Sequence, residues 1–227
     1  MTTSRPVPVL PSEGRRLAFI GKGGAGKSTM LAHFLAYWTS YGVPCIGIDT
    51  DVPGDDEHGT LYEHAQAADL GAPVYPAPAI HHIRNEAVRL TPEKGLGALD
   101  TGAWERKSGG PHVAVLSAVD LAVLCMQPTK NELNRAASVL GAIQQLEATG
   151  ARAPKLAILL SMVDRSAASA DDLDVTLSEA GYTVLRSRYH LSNGRDGLAQ
   201  SFGEPIKVKP DSELDVMARE ILDVVAR

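Results

Sequence analysis

The chain alternates between short, uniformly apolar stretches and longer stretches in which apolar residues recur every three or four positions. The first kind is typical of parallel strands buried on both faces, and the second of helices that cover a sheet. Strands are predicted over residues 15–20, 44–49, 73–76, 96–100, 121–126, 155–160 and 183–185. Helices are predicted over residues 28–41, 57–68, 79–90, 111–119, 131–149, 169–180, 194–202 and 211–225. This order predicts an α/β fold with a single-domain, doubly wound, mostly parallel sheet and helices on both faces.

Length and composition agree with one domain of this kind. The chain has 227 residues, of which 44% are hydrophobic, and it contains no internal repeat. Residues 1–14 contain three prolines and are predicted to form a short flexible leader, which leaves residues 15–227 for the domain. Asn131 is expected to cap the helix that begins there. No apolar run approaches the ~18 residues of a membrane span, so no membrane partner is expected.

The net charge, the cysteines and the histidines indicate which nucleic-acid or metal partners the chain is expected to have. The net charge of −5 argues against a protein that coats nucleic acid by bulk charge, but not against a local basic patch. Cys45 and Cys125 lie in apolar runs and form no CxxC pair, which favours buried thiols in a reducing cytoplasm over a metal centre. Four histidines match no zinc spacing and are expected on helix surfaces: His58, His64, His81 and His82.

The most informative stretch runs from Gly21 to Ser28. It places Gly-Lys-Ser four residues after a glycine, which is the phosphate-binding P-loop pattern. In such a loop the backbone N–H groups surround phosphate, Lys27 reaches the β- and γ-phosphates, and the Ser28 hydroxyl binds Mg²⁺. A predicted strand before the loop and a predicted helix after it favour this interpretation over a chance glycine-rich turn.

A second lysine, Lys22, follows the first glycine, where a general P-loop requires none. The string from Lys22 to Thr29 resembles the deviant Walker A motif of the ParA/MinD family of ATPases. The resemblance implies ATP and Mg²⁺ as cofactors, and an ATP-sandwich homodimer in which Lys22 reaches the nucleotide of the partner subunit. A solvated loop lysine is the alternative. The implied nucleotide-binding residues are Lys22, Gly23, Gly24, Ala25, Gly26, Lys27, Ser28 and Thr29.

Acidic residues close two of the predicted strands. Asp100 resembles the family's Walker B aspartate, which acts on Mg²⁺, although Gly97 and Ala98 make its strand weak; the alternative is a capping aspartate on a loop. Asp49 and Asp51 resemble the family's Asp-x-Asp, with an acidic turn as the alternative. By that resemblance Asp51 orients or activates the attacking water, and Asp49 lies nearer the metal. The implied catalytic residues are Lys22, Lys27 and Asp51, and the implied metal ligands are Ser28, Asp49 and Asp100.

The second half of the chain continues the resemblance more loosely. Ser161 and Met162 resemble the family's segment near the nucleotide base. The compact chain looks most like the small plasmid-partition ParA proteins, in which basic residues on the dimer bind nonspecific DNA. The implied DNA-binding residues are Arg186, Arg188, Arg195, Lys207 and Lys209, and the alternative is an ordinary solvated surface. The last helix has an apolar stripe and an acidic face, so it is expected to dock on the sheet rather than on a membrane.

The resemblance implies a ParA-type ATPase for DNA partition, cytoplasmic and associated with the nucleoid. ATP binding would pair two subunits and create a surface for nonspecific DNA, and a ParB-like partner would stimulate slow hydrolysis and release them. One alternative is the same ATPase positioning a non-DNA cargo, through an adaptor protein, over the nucleoid. Another is an ATP-dependent ligase resembling dethiobiotin synthetase, against which Lys22 weighs.

Overall fold

The fold is built around a single parallel sheet whose strands carry the predicted buried runs. The computed structural model describes residues 6–51, 59–77, 82–104, 110–165, 169–191, 198 and 201–227. The strands are β1 (Arg15–Gly21), β2 (Cys45–Asp49), β3 (Val74–Pro76), β4 (Leu96–Asp100), β5 (Leu121–Met126), β6 (Lys155–Leu160) and β7 (Thr183–Val184). All neighbouring strands pair in parallel, in the order β3-β2-β4-β1-β5-β6-β7.

Helices cover both faces of the sheet, and each face has its own hydrophobic core. The helices are α1 (Lys27–Ser40), α2 (Thr60–Ala67), α3 (Ile83–Leu90), α4 (Gly110–Ala118), α5 (Lys130–Ala148), α6 (Ser169–Glu179) and α7 (Glu213–Ala226). One core joins α1 and α7 to the sheet, and the other joins α3, α4, α5 and α6 to the opposite face. The predicted doubly wound, parallel α/β fold is therefore confirmed.

Most predicted elements agree with the structure to within a few residues, with two differences at helix ends. The cap of α5 is Thr129 rather than Asn131, because the helix begins one residue earlier, at Lys130. The helix predicted over residues 194–202 lies largely outside the described residues, and its last residue, Phe202, is in a turn. In the leader, Leu10 is buried in the core of the α1 face and Val7 packs against that core, whereas Val9 is exposed.

Strand β4 looked weak in the sequence but occupies the centre of the sheet, between β1 and β2. All five of its residues are buried. Gly97 is needed because a Cβ there would lie 2.4 Å from the Thr91 hydroxyl oxygen. Tight packing, rather than weak strand propensity, explains the small side chain.

The C-terminal helix docks on the sheet as its pattern predicted. Met217 and Ile221 are fully buried against α1 and β1, and the Trp38 indole N–H donates to the Ala218 carbonyl over 2.9 Å. The acidic face is not wholly exposed, since Asp215 is buried and accepts a hydrogen bond from the Tyr41 hydroxyl. Within the described residues no helix combines the length and apolar character that crossing a bilayer requires.

Candidate functional site

The P-loop lies at the carboxyl end of β1, in the middle of the sheet. β1 is flanked by β4, which leads toward β2 and β3, and by β5, which leads toward β6 and β7. The strand order therefore changes direction at β1, and in open parallel sheets ligands bind at such a switch point. The loop from Gly21 to Gly26 joins β1 directly to α1, so the amino end of α1 faces the same opening.

The loop needs its glycines for conformation and for close approach. Gly21 has φ 148°, and a Cβ there would lie 2.3 Å from the Cys125 carbonyl oxygen of β5. Gly26, the residue before α1, has φ 81°, a left-handed conformation that favours glycine. The sequence therefore fixes a tight turn that leaves the N–H groups at the start of α1 without helical partners, as anion binding requires.

The two loop lysines have opposite environments. Lys27 is buried, with 6% of its surface exposed, and its Nζ donates to the Lys22 carbonyl oxygen over 3.3 Å. The Lys22 side chain is exposed, and none of the described residues gives its ammonium group a hydrogen-bond partner. Lys27 thus points into its own loop, whereas Lys22 is available to a group outside the subunit.

Asp100 is a fully buried carboxyl group next to the loop. Neither of its side-chain oxygens has a hydrogen-bond partner among the described residues. Burial raises its pKa from 3.8 to about 7, and the nearby Ser28 hydroxyl and Lys27 ammonium only partly offset this. An unpartnered buried carboxyl beside a hydroxyl fits a Mg²⁺ site, because Mg²⁺ binds through one or two protein oxygens together with phosphates and waters.

We expect Asp100→Asn to stabilise the protein without nucleotide and metal at alkaline pH. Because its folded pKa is raised, the folded state binds more protons than the unfolded state between about pH 4 and pH 7, so stability falls across that window as pH rises. Asparagine does not ionise, so the variant avoids this loss of folding stability, which is on the order of 1–3 kcal/mol above pH 7. Urea unfolding in EDTA at pH 5 and pH 8 measures the difference in the free energy of unfolding between the variant and the wild type. An equal effect of the substitution at both pH values would contradict it.

Asp49 is paired with Asp100 in register on the neighbouring strand and is also fully buried. Its carboxylate accepts from the Tyr62 N–H over 2.8 Å and from the Asp51 N–H over 3.1 Å. Tyr62 lies in the first turn of α2, so Asp49 stabilises that helix terminus from outside the helix. Gly59 allows this contact, because a Cβ there would lie 2.2 Å from the carboxylate. Burial raises the pKa of Asp49, and these hydrogen bonds oppose it.

Asp51 is exposed, unlike Asp49, although it lies only two residues beyond Asp49, the last residue of β2. Its carboxylate lies against Gly102, where a Cβ would be 2.6 Å from one of its oxygens. The two aspartates therefore diverge: one supports α2, and the other faces the opening beside the segment after Asp100. No group of three or more His, Cys, Asp or Glu within the described ranges is arranged to hold a metal ion without other ligands.

Ser161 and Met162 lie on the other side of the loop, after β6. A Cβ on Gly26 would be 3.0 Å from the Met162 Cε and 3.9 Å from the Tyr189 ring. Met162 has φ 53°, a strained conformation for a side chain of its size, and the buried Ser161 hydroxyl has no hydrogen-bond partner in the part of the chain that the structure describes. The predicted base-contacting residues therefore border the P-loop, and Tyr189 joins them without any sequence signal.

Residues 101–104 connect Asp100 to the P-loop and to two helices, a role that the sequence did not reveal. The Trp104 N–H donates to the Gly21 carbonyl over 2.8 Å, and the Arg135 guanidinium of α5 donates to the Trp104 carbonyl over 2.7 Å. The sequence suggested only a polar loop here. Trp104, 4% exposed, was the available signal, because a large aromatic residue in a polar loop usually has something to pack against.

The histidine prediction was wrong for His64. His64 is buried on α2 and donates to the Ser201 carbonyl over 3.0 Å, while the Ser201 hydroxyl is hydrogen-bonded to His33 of α1 over 2.8 Å. Burial lowers the pKa of His33 to about 4, so His33 is neutral near neutral pH. These side chains join α1, α2 and the segment around residue 201. His82 is exposed, and His58 and His81 lie outside the described residues.

The predicted DNA-binding residues differ in whether their charges are paired with carboxylates. Arg188 is paired with Asp171 and Asp174, so its charge is offset. Arg186 is exposed, as are Lys207 and Lys209, whereas Arg195 lies outside the described residues. Among the described members of the set, the two lysines and Arg186 keep their charge free.

Three solved structures align with nearly the whole chain. A variant of McdA from Cyanothece in complex with ATP has 17% sequence identity and a TM-score of 0.61, covering 95% of this chain and 98% of that one. A plasmid partition protein from Borrelia burgdorferi B31 bound to AMPPNP has 14% identity and a TM-score of 0.61, covering 92% and 97%. The chain therefore shares the fold of these two ATP-site proteins.

The fold is shared with a biosynthetic enzyme as well. Cobyrinic acid a,c-diamide synthase from Mycobacterium smegmatis, with an ATP analogue and magnesium bound, has 16% identity and a TM-score of 0.63, covering 92% of each chain. No protein-family model matches the sequence, and no curated protein matches it. At these identities the similarity is one of fold, so the activity has to be argued from the residues of the site.

Proposed function

We propose that this protein is a Mg²⁺-dependent ATP hydrolase of the ParA type, which pairs with a second copy when ATP is bound. The carrying observation is the contrast between the two loop lysines: Lys27 is buried within its own P-loop, and Lys22 is exposed with no ammonium partner among the described residues. Phosphate binding by a monomeric P-loop enzyme does not require the second lysine. The lysine is useful to a subunit in which it reaches the nucleotide of a neighbouring subunit.

The nucleotide would be held by groups already in place. The free N–H groups at the start of α1 bind phosphate oxygens, and Lys27 exchanges its contact with the Lys22 carbonyl for the β- and γ-phosphates. Ser28 and Asp100 would hold Mg²⁺, because they bring a hydroxyl and an unpartnered carboxyl group together. When bound, Mg²⁺ neutralises charge on the phosphate oxygens. Structures of similar fold that contain ATP analogues, one with magnesium, support this choice.

Asp51 is the group best placed to orient the attacking water. It is exposed at the carboxyl edge of the sheet, and within the described residues its carboxylate accepts no backbone hydrogen bonds of the kind that Asp49 accepts. Holding water in line with the transferred phosphorus atom is one of the two main contributions of a protein to phosphoryl transfer, beside electrostatic stabilisation of the phosphate oxygens. Hydrolysis is expected to be slow in the absence of a partner.

The proposed role is DNA partition, with nonspecific DNA bound by the dimer and a ParB-like partner triggering release. The similar fold of a plasmid partition protein supports it. The free charges on Lys207, Lys209 and Arg186 would contact phosphates, which need charge but no base-specific geometry. McdA has a similar fold too, so the same switch acting on a non-DNA cargo through an adaptor protein remains the neighbouring hypothesis. We place the protein in the cytoplasm, at the nucleoid.

Light scattering after size-exclusion chromatography tests the switch, in Mg²⁺ with ATP, with ADP or without nucleotide. We expect a dimer with ATP only, and retention of nonspecific duplex DNA with ATP only. As a matched pair, Lys207→Ala/Lys209→Ala should weaken DNA binding and its salt dependence, while Arg188→Ala should have a smaller effect because Arg188 is already paired. A monomer under every condition would refute the dimer, and DNA retention without ATP would refute the DNA part.

A second candidate is an ATP-dependent ligase, which the similar fold of cobyrinic acid a,c-diamide synthase favours. Such an enzyme would use the P-loop to transfer phosphate to a carboxylate of a small metabolite. The exposed Lys22 has no role in that reaction. ATP turnover that appears only when a small carboxylate is added, with a monomer throughout, would favour the ligase.

A further inference from the structure

The segment from Thr101 to Trp104, here called the strap, runs from the buried end of β4 across the base of the P-loop. Its first residue is fixed to β1, where the Thr101 hydroxyl donates to the Phe19 carbonyl over 2.8 Å. Its last residue is fixed to the loop, where the Trp104 N–H donates to the Gly21 carbonyl over 2.8 Å. The strap is therefore bonded at both ends to the strand and loop that carry Lys22.

Between these ends the strap lies beside Gly23, the residue after Lys22, and against the carboxylate of Asp51. The Cβ of Ala103 lies 3.6 Å from the position that a Cβ on Gly23 would take, so the strap runs close to the loop directly after Lys22. Gly102 contacts the Asp51 carboxylate so closely that it cannot carry a side chain. A shift of the strap by one ångström would move the surroundings of both Lys22 and Asp51.

On its outer side the strap is clamped by α4 and α5. The Arg135 guanidinium donates to the Trp104 carbonyl over 2.7 Å, and the Trp104 indole N–H donates to the Ser138 hydroxyl over 3.3 Å. The His112 Nε2 donates to the Ala103 carbonyl over 3.0 Å, and its ring lies 4.9 Å from the Trp104 ring. Four contacts from two helices thus converge on two residues of the strap.

Arg135 is itself held in place. Its Nε donates over 2.9 Å to Glu132, one turn earlier on α5, and Glu132 is 3% exposed. A buried carboxylate would be costly without this partner, so the ion pair fixes the guanidinium in the orientation that reaches the Trp104 carbonyl. Ion pair, guanidinium, strap and P-loop form one continuous series of contacts from α5 to the nucleotide site, partly buried at Arg135 and buried at Glu132 and Trp104.

We propose that Arg135 and Trp104 are positioning residues for ATP hydrolysis, which set the strap and through it Lys22 and Asp51. This inference rests on the proposed ATPase function. Its consequence is that α5 is mechanically connected to the two groups, so a change at α5 alters hydrolysis without touching the nucleotide. Affinity for ATP depends on the loop N–H groups and Lys27. Among the described residues, the strap's hydrogen bond to the loop ends on the Gly21 carbonyl and on none of these groups, so the affinity is expected to change little.

The test compares two variants. Arg135→Met keeps the aliphatic stem of the side chain, and Arg152→Met removes a paired arginine near the amino ends of the strands, away from the P-loop. For Arg135→Met we expect kcat to fall about tenfold with KM within about twofold, since small misplacements of reacting groups are costly in rate. Arg135→Lys should restore part of the loss, and Arg152→Met should leave kcat unchanged. Unaltered kcat in Arg135→Met, an equal loss in Arg152→Met, or a rise in KM alone would overturn the proposal.

A second measurement does not depend on turnover. Trp104 contacts the P-loop directly, so Mg²⁺ and ATP should change tryptophan fluorescence in the wild type, and Trp104→Phe should abolish the change. Arg135→Met, or Glu132→Gln if that variant does not fold, should reduce its amplitude. No change on binding in the wild type would overturn the inference. A wild type that shows the change but hydrolyses no ATP would refute the proposed function instead.

Discussion

Replacing Lys22 with alanine is expected to weaken ATP-dependent self-association at least about tenfold while leaving the affinity of the monomer for ATP within about twofold. The Lys22 ammonium has no partner among the described residues, so its removal breaks nothing within the subunit. Across an interface it would donate charge-assisted hydrogen bonds to phosphate, each worth roughly 1.5–3 kcal/mol. Analytical ultracentrifugation with a non-hydrolysable ATP analogue measures the first quantity, and fluorescence titration of dilute monomer measures the second.

The matched control is the other lysine of the same loop. Lys27→Ala should abolish measurable ATP binding by the monomer, because Lys27 is buried beside the phosphate site and is the group that reaches the β- and γ-phosphates. The two variants should therefore separate binding from pairing. Equal loss of monomer affinity in both, or an unaltered dimer in Lys22→Ala, would contradict the cross-subunit role.

Asp51→Ala is expected to lower the rate of ATP hydrolysis about 10²-fold or more without reducing protein stability or ATP binding. Asp51 is exposed, and its side chain makes no hydrogen bond to another element within the described residues, whereas orienting and activating water typically contributes that much to a rate. The nucleotide-bound dimer should therefore accumulate in this variant. Single-turnover hydrolysis and thermal unfolding, measured on the same preparation, give the two quantities.

Asp49→Ala provides the contrast, two residues earlier. It removes the acceptor of the Tyr62 and Asp51 N–H groups, so the N–H at the start of α2 loses its hydrogen bond. We expect this to lower the free energy of unfolding by about 0.5–2 kcal/mol. Its loss of activity should be accompanied by this loss of stability. A stable Asp49→Ala variant together with an unstable Asp51→Ala variant would reverse the assignment of the two aspartates.

The sequence predicted the frame of the site because the relevant signals are local. Uniformly apolar runs separated by amphipathic ones specify parallel strands and covering helices, whichever neighbours they later meet. The P-loop pattern combines glycines that must adopt unusual φ values with a lysine and a serine at fixed spacing, all within eight residues. Both signals lie within short segments of the sequence, so no tertiary contact was needed to recognise them.

The misjudged features depend on partners far away in the chain. Strand β4 looked weak because the proximity of Thr91 to Gly97 is visible only in the fold. His64 looked like a surface residue because its partner, Ser201, lies 137 residues further on. A single residue type carries no information about which distant group will cover it.

The sequence alone determined the parallel α/β architecture, the phosphate loop and the presence of two lysines within it. Only the tertiary structure decided which lysine is buried, which aspartate supports α2 and which faces the opening, and that Trp104 joins the loop to α5. The physical reason is that a residue's conformation and spacing are set along the chain. Its burial, and hence its charge state and the partners left to it, is set by elements that meet only when the sheet is assembled.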